Sequence, residues 1–231
     1  MFWEEEEDKS LPYTVPDEII DLSFPIKCKS LPLNHAWHLS RELIAHLPWL
    51  ETHKTAAIHQ IHVAESNNGW MRPEDDEEDA LLYPSRRTKL TLRIPIERLE
   101  ETQSLSGKQL AFDGAALTLG SPKKKLLTNS SVIFSRYVVD LNSSNEGDFL
   151  SNMAVEIYKK TNFKVKKMLC GKSHTIKTPT SNLRTRHLMI ADLDSESSIK
   201  LQQLGLGTNK LLGCGIFLPH KGIKSLNPSD Q

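Results

Sequence analysis

The chain has 231 residues, with 29 lysines and arginines balanced by 29 aspartates and glutamates, and 38% of its residues are hydrophobic. This composition is typical of a soluble globular protein with a sizeable core. It excludes a membrane protein, since no apolar run approaches the roughly 18 residues that a membrane span needs. The acidic start, Met-Phe-Trp-Glu-Glu-Glu-Glu-Asp, is unlike a signal peptide. Three scattered cysteines, Cys28, Cys170 and Cys214, indicate reduced thiols in a cytoplasmic protein and no zinc site.

The neutral net charge conceals an asymmetry along the chain. Residues 1–85 contain 17 acidic and six basic residues, whereas residues 86–231 contain 12 acidic and 23 basic residues. A basic part of this size favours an anionic partner, and RNA or DNA is the obvious class. A well-solvated surface is the alternative that charge counts leave open.

The first half of the chain predicts one domain at 17–120, after a loose acidic arm at 1–16. Ile20, Leu22, Phe24 and Ile26 alternate with other residues, as in a strand with one buried face. The pattern as a whole predicts the order β-α-β-β-α-β, with elements at 19–26, 34–47, 57–64, 87–94, 95–105 and 116–119. Asn34 is the expected N-cap of the first helix, and Pro48 is expected to end it. An acidic run at 74–79 predicts an exposed loop.

After a basic linker at 121–125, the same order repeats in a second predicted domain at 126–224. Its expected elements are strands at 131–141, 164–170, 183–192 and 214–218, and helices at 148–160 and 195–204, with a basic hairpin at 172–182. Asp194 is the expected cap of the last helix, and Gly205 its stop. The sequence therefore predicts an α+β protein of two tandem ferredoxin-like domains, the RRM-like layout that often presents a sheet to RNA.

A glycine-rich stretch precedes the last predicted strand. Gly205 and Gly207 form one Gly-x-Gly pair, Gly213 and Gly215 form another, and Lys210 lies between them. Glycine pairs permit positive φ and expose backbone N–H groups to a polyanion. The spacing fits neither a Walker loop nor a dinucleotide fingerprint, which counts against a nucleotide-binding signalling protein. The loop is therefore predicted to bind another kind of polyanion.

The same stretch matches the signature of the RAMP superfamily, a glycine-apolar-glycine triplet, five residues and a second such triplet. Further stretches at 21–26, 31–35, 86–92 and 204–221 resemble one branch of it. That branch consists of the CRISPR-associated endoribonucleases that process precursor crRNA in type I systems of the Myxococcus-type subtype. The likeness covers about residues 19–224.

The resemblance implies cleavage of CRISPR repeat RNA without metal or cofactor. The ribose 2′-OH attacks the adjacent phosphate and leaves a 2′,3′-cyclic phosphate and a 5′-OH. This chemistry needs a base, an acid and cations around the phosphorane. A crRNA-binding subunit of an effector complex, which does not cut, is the alternative within the superfamily. Partners beyond the repeat RNA would then be subunits of a type I interference or transposon-associated complex.

The resemblance also implies a histidine at or near the first helix, with the glycine-rich loop nearby. His35, at the N-terminal end of that helix, is the predicted general base or acid, and His46 and His38 are the second choices. The predicted RNA contacts are basic side chains of the fourth element, the hairpin region and the glycine-rich loop. They are Arg86, Arg87, Lys89, Arg93, Lys172, His174, Lys177, Arg184, Arg186 and Lys210.

Overall fold

A computed structural model describes residues 13–63, 80–141 and 143–220, which form two main antiparallel sheets, each with helices packed on one face, and a third sheet of two short strands. The first half contains β1 (Ile19–Cys28), β2 (Leu31–Pro32), α1 (Ala36–His46), β3 (Ala57–Ile58), β4 (Leu81–Leu82), β5 (Lys89–Pro95), α2 (Leu99–Gln103), β6 (Gln109–Phe112), β7 (Ala115–Leu119) and β8 (Lys123–Leu126). The second half contains β9 (Ile133–Val139), α3 (Glu146–Thr161), β10 (Lys167–Lys177), β11 (Asn182–Ala191), α4 (Ser195–Leu204) and β12 (Leu218–Pro219). Short 3₁₀ helices lie at Pro48–Glu51, Ile96–Arg98 and Lys210–Leu212.

The strand order of each sheet is that of a ferredoxin-like fold. The first sheet runs β3-β5-β1-β7, with β6 added as the hairpin partner of β7. The second runs β10-β11-β9-β12. In both, the first strand of the βαββαβ unit lies between the third and the fourth, so the predicted tandem fold is confirmed. The basic linker at 121–125 differs from the prediction, because Lys123–Leu126 pairs with β1 as an extra strand.

The hydrophobic pattern explains the first core. Leu22 and Phe24 on β1 are fully buried, and they pair with Leu92 and Leu90 on β5. The side chain of Leu43 on α1 joins the same cluster. Each such side chain stabilises the fold by about 1.5–3 kcal/mol through burial. The alternation that predicted β1 and β5 from sequence is therefore confirmed.

The second core forms around α3, and a side chain caps the N-terminus of each of its two helices, α3 and α4. Phe149 and Ile157 of α3 are fully buried against β9 and β11. The Asn145 side chain accepts a 2.9 Å hydrogen bond from the backbone N–H of Asp148 and so starts α3 two residues before the predicted position. Asp194 accepts a 2.7 Å bond from the N–H of Ser197, which confirms the predicted cap of α4.

Three predicted strands differ most from their predicted bounds. The strand expected at 57–64 contains only Ala57–Ile58, because the following backbone bonds to a histidine ring and the side chain of Gln60 bonds to a loop carbonyl. The strand expected at 214–218 contains only Leu218–Pro219, because positive φ at Gly213 and Gly215 bends the chain before it. The strand expected at 164–170 begins at Lys167 and continues through a bulge to Lys177. Residues 1–12 of the predicted arm at 1–16, the acidic run at 74–79 and the end at 221–224 lie outside the described residues.

Arg93 differs most from its predicted role. It lies on the outer face of β5, as the alternation predicts, yet only 2% of it is exposed. Its Nε and Nη2 atoms donate to both carboxylate oxygens of Asp21, at 2.8 and 3.0 Å. Its Nη1 atom donates to the carbonyls of Gln202 and Phe217 in the second domain, at 2.7 and 3.0 Å. The predicted RNA contact is therefore corrected: Arg93 joins the two domains inside the protein.

We expect Arg93→Ala to lower the free energy of unfolding by about 3–5 kcal/mol, because it leaves the buried carboxylate of Asp21 without its partner. Arg87→Ala is the matched control, since Arg87 is exposed near the start of the same strand and its loss should cost about 0.5 kcal/mol or less. Urea denaturation followed by circular dichroism measures both. Equal stability of the two variants would contradict the structural role of Arg93.

Candidate functional site

The glycine N–H groups of the glycine-rich loop all have partners within the protein. The N–H groups of Gly205, Gly213 and Gly215 donate to the carbonyls of Leu201, Lys210 and Tyr137. The fourth, that of Gly207, donates to Glu156 Oε1 at 2.8 Å. None of the four N–H groups is available to a phosphate in this arrangement, in contrast to the predicted cradle.

Glycine is needed in this loop because the two Gly-x-Gly pairs lie against each other. The N–H of Leu206 donates to the carbonyl of Gly215 at 3.0 Å. A Cβ on Gly215 would lie 1.7 Å from the carbonyl oxygen of Leu206, and one on Gly205 would lie 2.8 Å from that of Gly215. A Cβ on Gly213 would lie 2.6 Å from Cγ of Gln60, in the first domain. The glycines therefore permit close packing of the loop on itself and on β3.

Lys210 is held at the tip of the loop. Its Nζ donates to the carbonyl of Leu204 at 3.0 Å and to the carbonyl of Lys54 in the first domain. Burial, with a contribution from the charge of Lys160, lowers the pKa of Lys210 to about 8. Lys210 is therefore a positioned cation whose proton is more easily released than that of an ordinary lysine.

A cleft of about 450 Å³ separates α1 from this loop. Its lining combines apolar residues of α1, of the 3₁₀ helix after it and of the loop with polar residues. Those polar residues are Ser40, Arg41, Glu51, His53, Lys54, Asn209 and Lys210. The cleft thus combines one histidine with three basic residues beside the glycine-rich loop.

His53 is the histidine that this cleft contains. Its Nδ1 lies 3.1 Å from the hydroxyl of Thr55, and its Nε2 lies 3.5 Å from Glu97 Oε1. The ring makes an edge contact with Trp49, at 6.1 Å between centroids. It is half-buried, so it is oriented by neighbours and still reachable by a ligand. His53 is absent from the residues predicted from sequence, although it follows the first helix by seven residues and precedes a lysine.

His35, the predicted catalytic residue, is buried to 1% exposure. Its Nδ1 lies 2.9 Å from the carbonyl of Pro32, which can only accept, so Nδ1 carries the hydrogen. Its Nε2 accepts from the N–H of Ile61 at 3.1 Å. Both ring nitrogens therefore hold backbone groups on either side of α1. A catalytic role for His35 stays a prediction, and this geometry gives it no access to a substrate.

The second choices, His38 and His46, lie on the side of α1 that faces the β6–β7 hairpin. His38 Nε2 is 3.9 Å from Asp113, and His46 Nε2 is 3.7 Å from Glu42. Glu42 in turn accepts from the backbone N–H of Ala111 on β6. Neither histidine lines the cleft beside the glycine-rich loop.

The remaining predicted RNA contacts divide into exposed and paired side chains. Arg86, Arg87, Lys89 and Lys172 are exposed. Arg184 and Arg186 both bond to Asp140 Oδ2, at 3.0 and 2.7 Å.

Asp140, which bridges these two arginines, is buried. Burial alone would raise the pKa of Asp140, but hydrogen bonds from Arg186 and Ser143 hold it below its usual value. Lys177 is half-buried, and His174 is paired with His187 at 2.9 Å. The exposed bases of the first domain therefore keep the predicted role best.

Two classes of site are absent from the described part of the chain. Within residues 13–63, 80–141 and 143–220, no group of three histidine, cysteine or acidic side chains is placed to hold a metal ion. Over the same ranges, no helix has the length and apolar character to cross a membrane.

Comparison with known proteins agrees with this architecture. The sequence matches the family model described as Cas6 Crispr over residues 20–222. The chain belongs to the Cas6 family. The predicted resemblance to this group is thereby confirmed.

Similar proteins include the CRISPR-associated endonuclease Cas6 of Myxococcus xanthus (strain DK1622), which is 27% identical over 203 residues, 87% of this chain and 81% of the relative. A solved CRISPR-associated protein Cas6 superposes with a TM-score of 0.61 at 12% identity, covering 88% of this chain and 100% of the other. A RAMP protein that binds different RNA substrates superposes with a TM-score of 0.57 at 11% identity, covering 87% of this chain and 100% of the other.

We expect Gly215→Ala to destabilise this Cas6-family protein by about 3–5 kcal/mol, because it adds a steric clash to the cost of positive φ. Gly207→Ala is the matched control. Its φ is also positive, but a Cβ there meets nothing within 4 Å, so only about 1–2 kcal/mol should be lost. Thermal unfolding measures the difference. If Gly207→Ala proved the more damaging, the loop would have a different packing.

Proposed function

We propose that this chain is an endoribonuclease that cleaves CRISPR repeat RNA in precursor transcripts to give crRNA. The observation that carries the proposal is the position of His53, in a cleft with three basic residues beside the glycine-rich loop of a Cas6-family chain. The Myxococcus relative is named an endonuclease, which supports cutting over binding alone. The proposed reaction needs no metal ion: the 2′-OH attacks the adjacent phosphorus, and the bond to the 5′-oxygen breaks.

The cleft offers a group for each proton transfer. His53 takes the proton of the 2′-OH, and the carboxylate of Glu97, 3.5 Å from its Nε2, stabilises the charged ring that results. Lys210 stabilises the phosphorane, and its lowered pKa of about 8 suits it to protonate the leaving 5′-oxygen. Arg41 also lines the cleft, where Glu51 holds it at 2.7 Å, and supplies further positive charge.

His53 fits the proposed base better than His35 does. The family likeness implies a histidine at or near the first helix with the glycine-rich loop nearby, and His53 shares a cleft with that loop. His35 donates through Nδ1 to the carbonyl of Pro32 and accepts through Nε2 from the backbone N–H of Ile61. To act as a base it would have to release Ile61 and leave a buried N–H without a partner, which costs about 1–3 kcal/mol.

The RNA backbone is proposed to follow the exposed bases of the first domain. Arg87, Lys89 and Lys125 line a second cleft of about 480 Å³ on the outer face of the first sheet. Lys125 reaches it because β8 pairs with β1, a position that a flexible linker would not give it. Phosphate contacts of this kind position RNA without reading its sequence.

A crRNA-binding subunit that does not cut is the second candidate. The four glycine N–H groups of the glycine-rich loop all bond within the protein, so the loop by itself is as compatible with an RNA-binding subunit as with an enzyme. Assembly with other subunits of a type I interference or transposon-associated complex belongs with this candidate, and co-purification with crRNA and those subunits would test it.

Cleavage of end-labelled repeat RNA in EDTA tests the proposal. We expect the parent protein to cut once and leave a 2′,3′-cyclic phosphate, and His53→Ala to cut at least about 100-fold more slowly. A 2′-deoxy substitution at the nucleotide before the scissile phosphate should block cleavage. An intact transcript in the presence of tight RNA binding would favour the binding subunit instead. Cleavage that needs Mg²⁺ would overturn the metal-independent mechanism.

Three further histidine variants show whether the assignment is specific. His35→Ala should lower the midpoint of thermal unfolding, because it leaves the N–H of Ile61 and the carbonyl of Pro32 without their partners. His38→Ala and His46→Ala should keep the cleavage rate within about threefold of the parent, because neither histidine lines the cleft of His53. If stable His35→Ala lost cleavage while His53→Ala kept it, His35 would be the base.

A further inference from the structure

A row of rings crosses the outer face of the second sheet, away from α3 and α4. Successive ring centroids in this row are 4.8–5.9 Å apart. We call it the histidine row, and in spatial order its members are His62, Tyr137, His174, His187, Phe134 and His220. Four of the nine histidines of the chain thus meet here, although they lie far apart in sequence.

The backbone of the sheet brings these rings together. Phe134 and Tyr137 lie on the central strand β9, His174 on β10 and His187 on β11. The register of β10 against β11 shifts between Cys170 and Ser173, which places the bulge beside His187. Gly171 lies in that bulge, and a Cβ there would be 3.1 Å from Cβ of His187. The bulge and its glycine therefore make room for the histidine ring.

The histidine row borders a cleft that is separate from the one around His53. This cleft has a volume of about 500 Å³ and is lined by Phe134, Arg136, Tyr137 and His220 on one side and by His59 and His62 on the other. Among the described residues, no carboxylate lines it. Next to it is the cleft of Arg87, Lys89 and Lys125, which shares His59 and His62 as lining residues. The charge and the rings together suit a ligand that carries both phosphates and flat bases.

His174 and His187 form a hydrogen-bonded pair within the row. Their Nε2 atoms are 2.9 Å apart, so one must donate and the other must accept. The pair can therefore hold one positive charge but not two. The charged groups that act on the pair are Arg136 on β9 and Lys172 on β10. The ring of Tyr137 contacts His174, while His62 and His220 lie one ring further along the row, against Tyr137 and Phe134.

In the free protein the surroundings keep His187 neutral. Burial lowers the pKa of His187 to about 4, with contributions from His174, Arg136 and Lys172. An anion bound at the pair would act in the opposite direction and raise that pKa, because it stabilises the charged ring. Binding of a phosphate at neutral pH would then be accompanied by proton uptake.

We propose that the histidine row binds unpaired nucleotides of the RNA, with bases stacked on Phe134 and a phosphate held by the singly protonated His174–His187 pair. The proposal rests on the proposed function only in taking RNA as the ligand. It adds to the cleft of His53 and the cleft of Arg87 a third binding surface, whose affinity increases as the pH falls. Stacking on aromatic rings in a basic groove is how many proteins hold single strands, and it requires bases that are not in a duplex.

The test is binding of a fluorescein-labelled oligouridylate of about ten nucleotides, within the usual site sizes of single-strand-binding folds. Anisotropy is measured at constant ionic strength between pH 6 and pH 8. We expect the dissociation constant of the parent protein to be about three- to tenfold lower at pH 6, as proton uptake requires. Phe134→Ala should weaken binding by about tenfold at every pH. His187→Gln should remove most of the pH dependence.

Tyr158→Ala is the matched control, because Tyr158 is an exposed aromatic residue on α3 that lines none of these clefts. It should bind as the parent does, and unfolding midpoints confirm that all variants are folded. If the dissociation constant of His187→Gln depended on pH as that of the parent does, the role of the pair would be overturned. If Phe134→Ala bound the oligouridylate as tightly as the parent, the stacking surface would be overturned. Equal competition by an RNA duplex would also overturn it. Binding without any cleavage would defeat only the proposed function, since oligouridylate binding does not depend on cutting.

Discussion

The buried guanidinium of Arg93 is the interaction on which the rest of the molecule depends. It is bidentate to Asp21 within the first sheet, and its third nitrogen holds the carbonyls of Gln202 and Phe217. Those two carbonyls flank the glycine-rich loop, so one side chain fixes both ends of the loop to the neighbouring domain. Burial would raise the pKa of Asp21, but Arg93 and His59 hold it well below its usual value. Its contribution to stability is therefore present above about pH 4 and is lost as the pH falls below that.

The fold was largely predictable because it follows from local patterns. Strict alternation in β1 and β5, helical spacing in α3 and the caps of α4 are properties of a few neighbouring residues, and all appear in the structure. The misplaced bounds occur where partners are remote. The segment after β3 leaves the sheet because Ile61 bonds to His35, and the segment before β12 bends at two glycines that pack on Leu206 and Gln60. No local signal reports such contacts.

The candidate site was less predictable for the same reason. Sequence identifies a histidine but not its burial or its partners. His35 has a suggestive neighbourhood in sequence and a structural position in the fold, whereas His53 has no motif of its own and meets Lys210 only through the packing of two domains. Arg93 shows the same limit: the alternation correctly places it on the outer face, but only the second domain decides that this face is covered.

The glycine-rich loop borders two of the proposed RNA surfaces, the cleft of His53 and the cleft of the histidine row. Its residues 209–212 line the cleft of His53, while Gly213 and Ile216 line the cleft of the histidine row. Lys210 and Gly213 each contact the first domain, at Lys54 and Gln60, so neither side of the loop can shift without disturbing the other. An RNA held at the histidine row would therefore contact the same element that carries Lys210, the proposed acid of the cleavage step. The glycine N–H groups of the loop already bond within the protein, so the loop is fixed before RNA binds. A loop that used these N–H groups to bind RNA would become fixed only after RNA had bound.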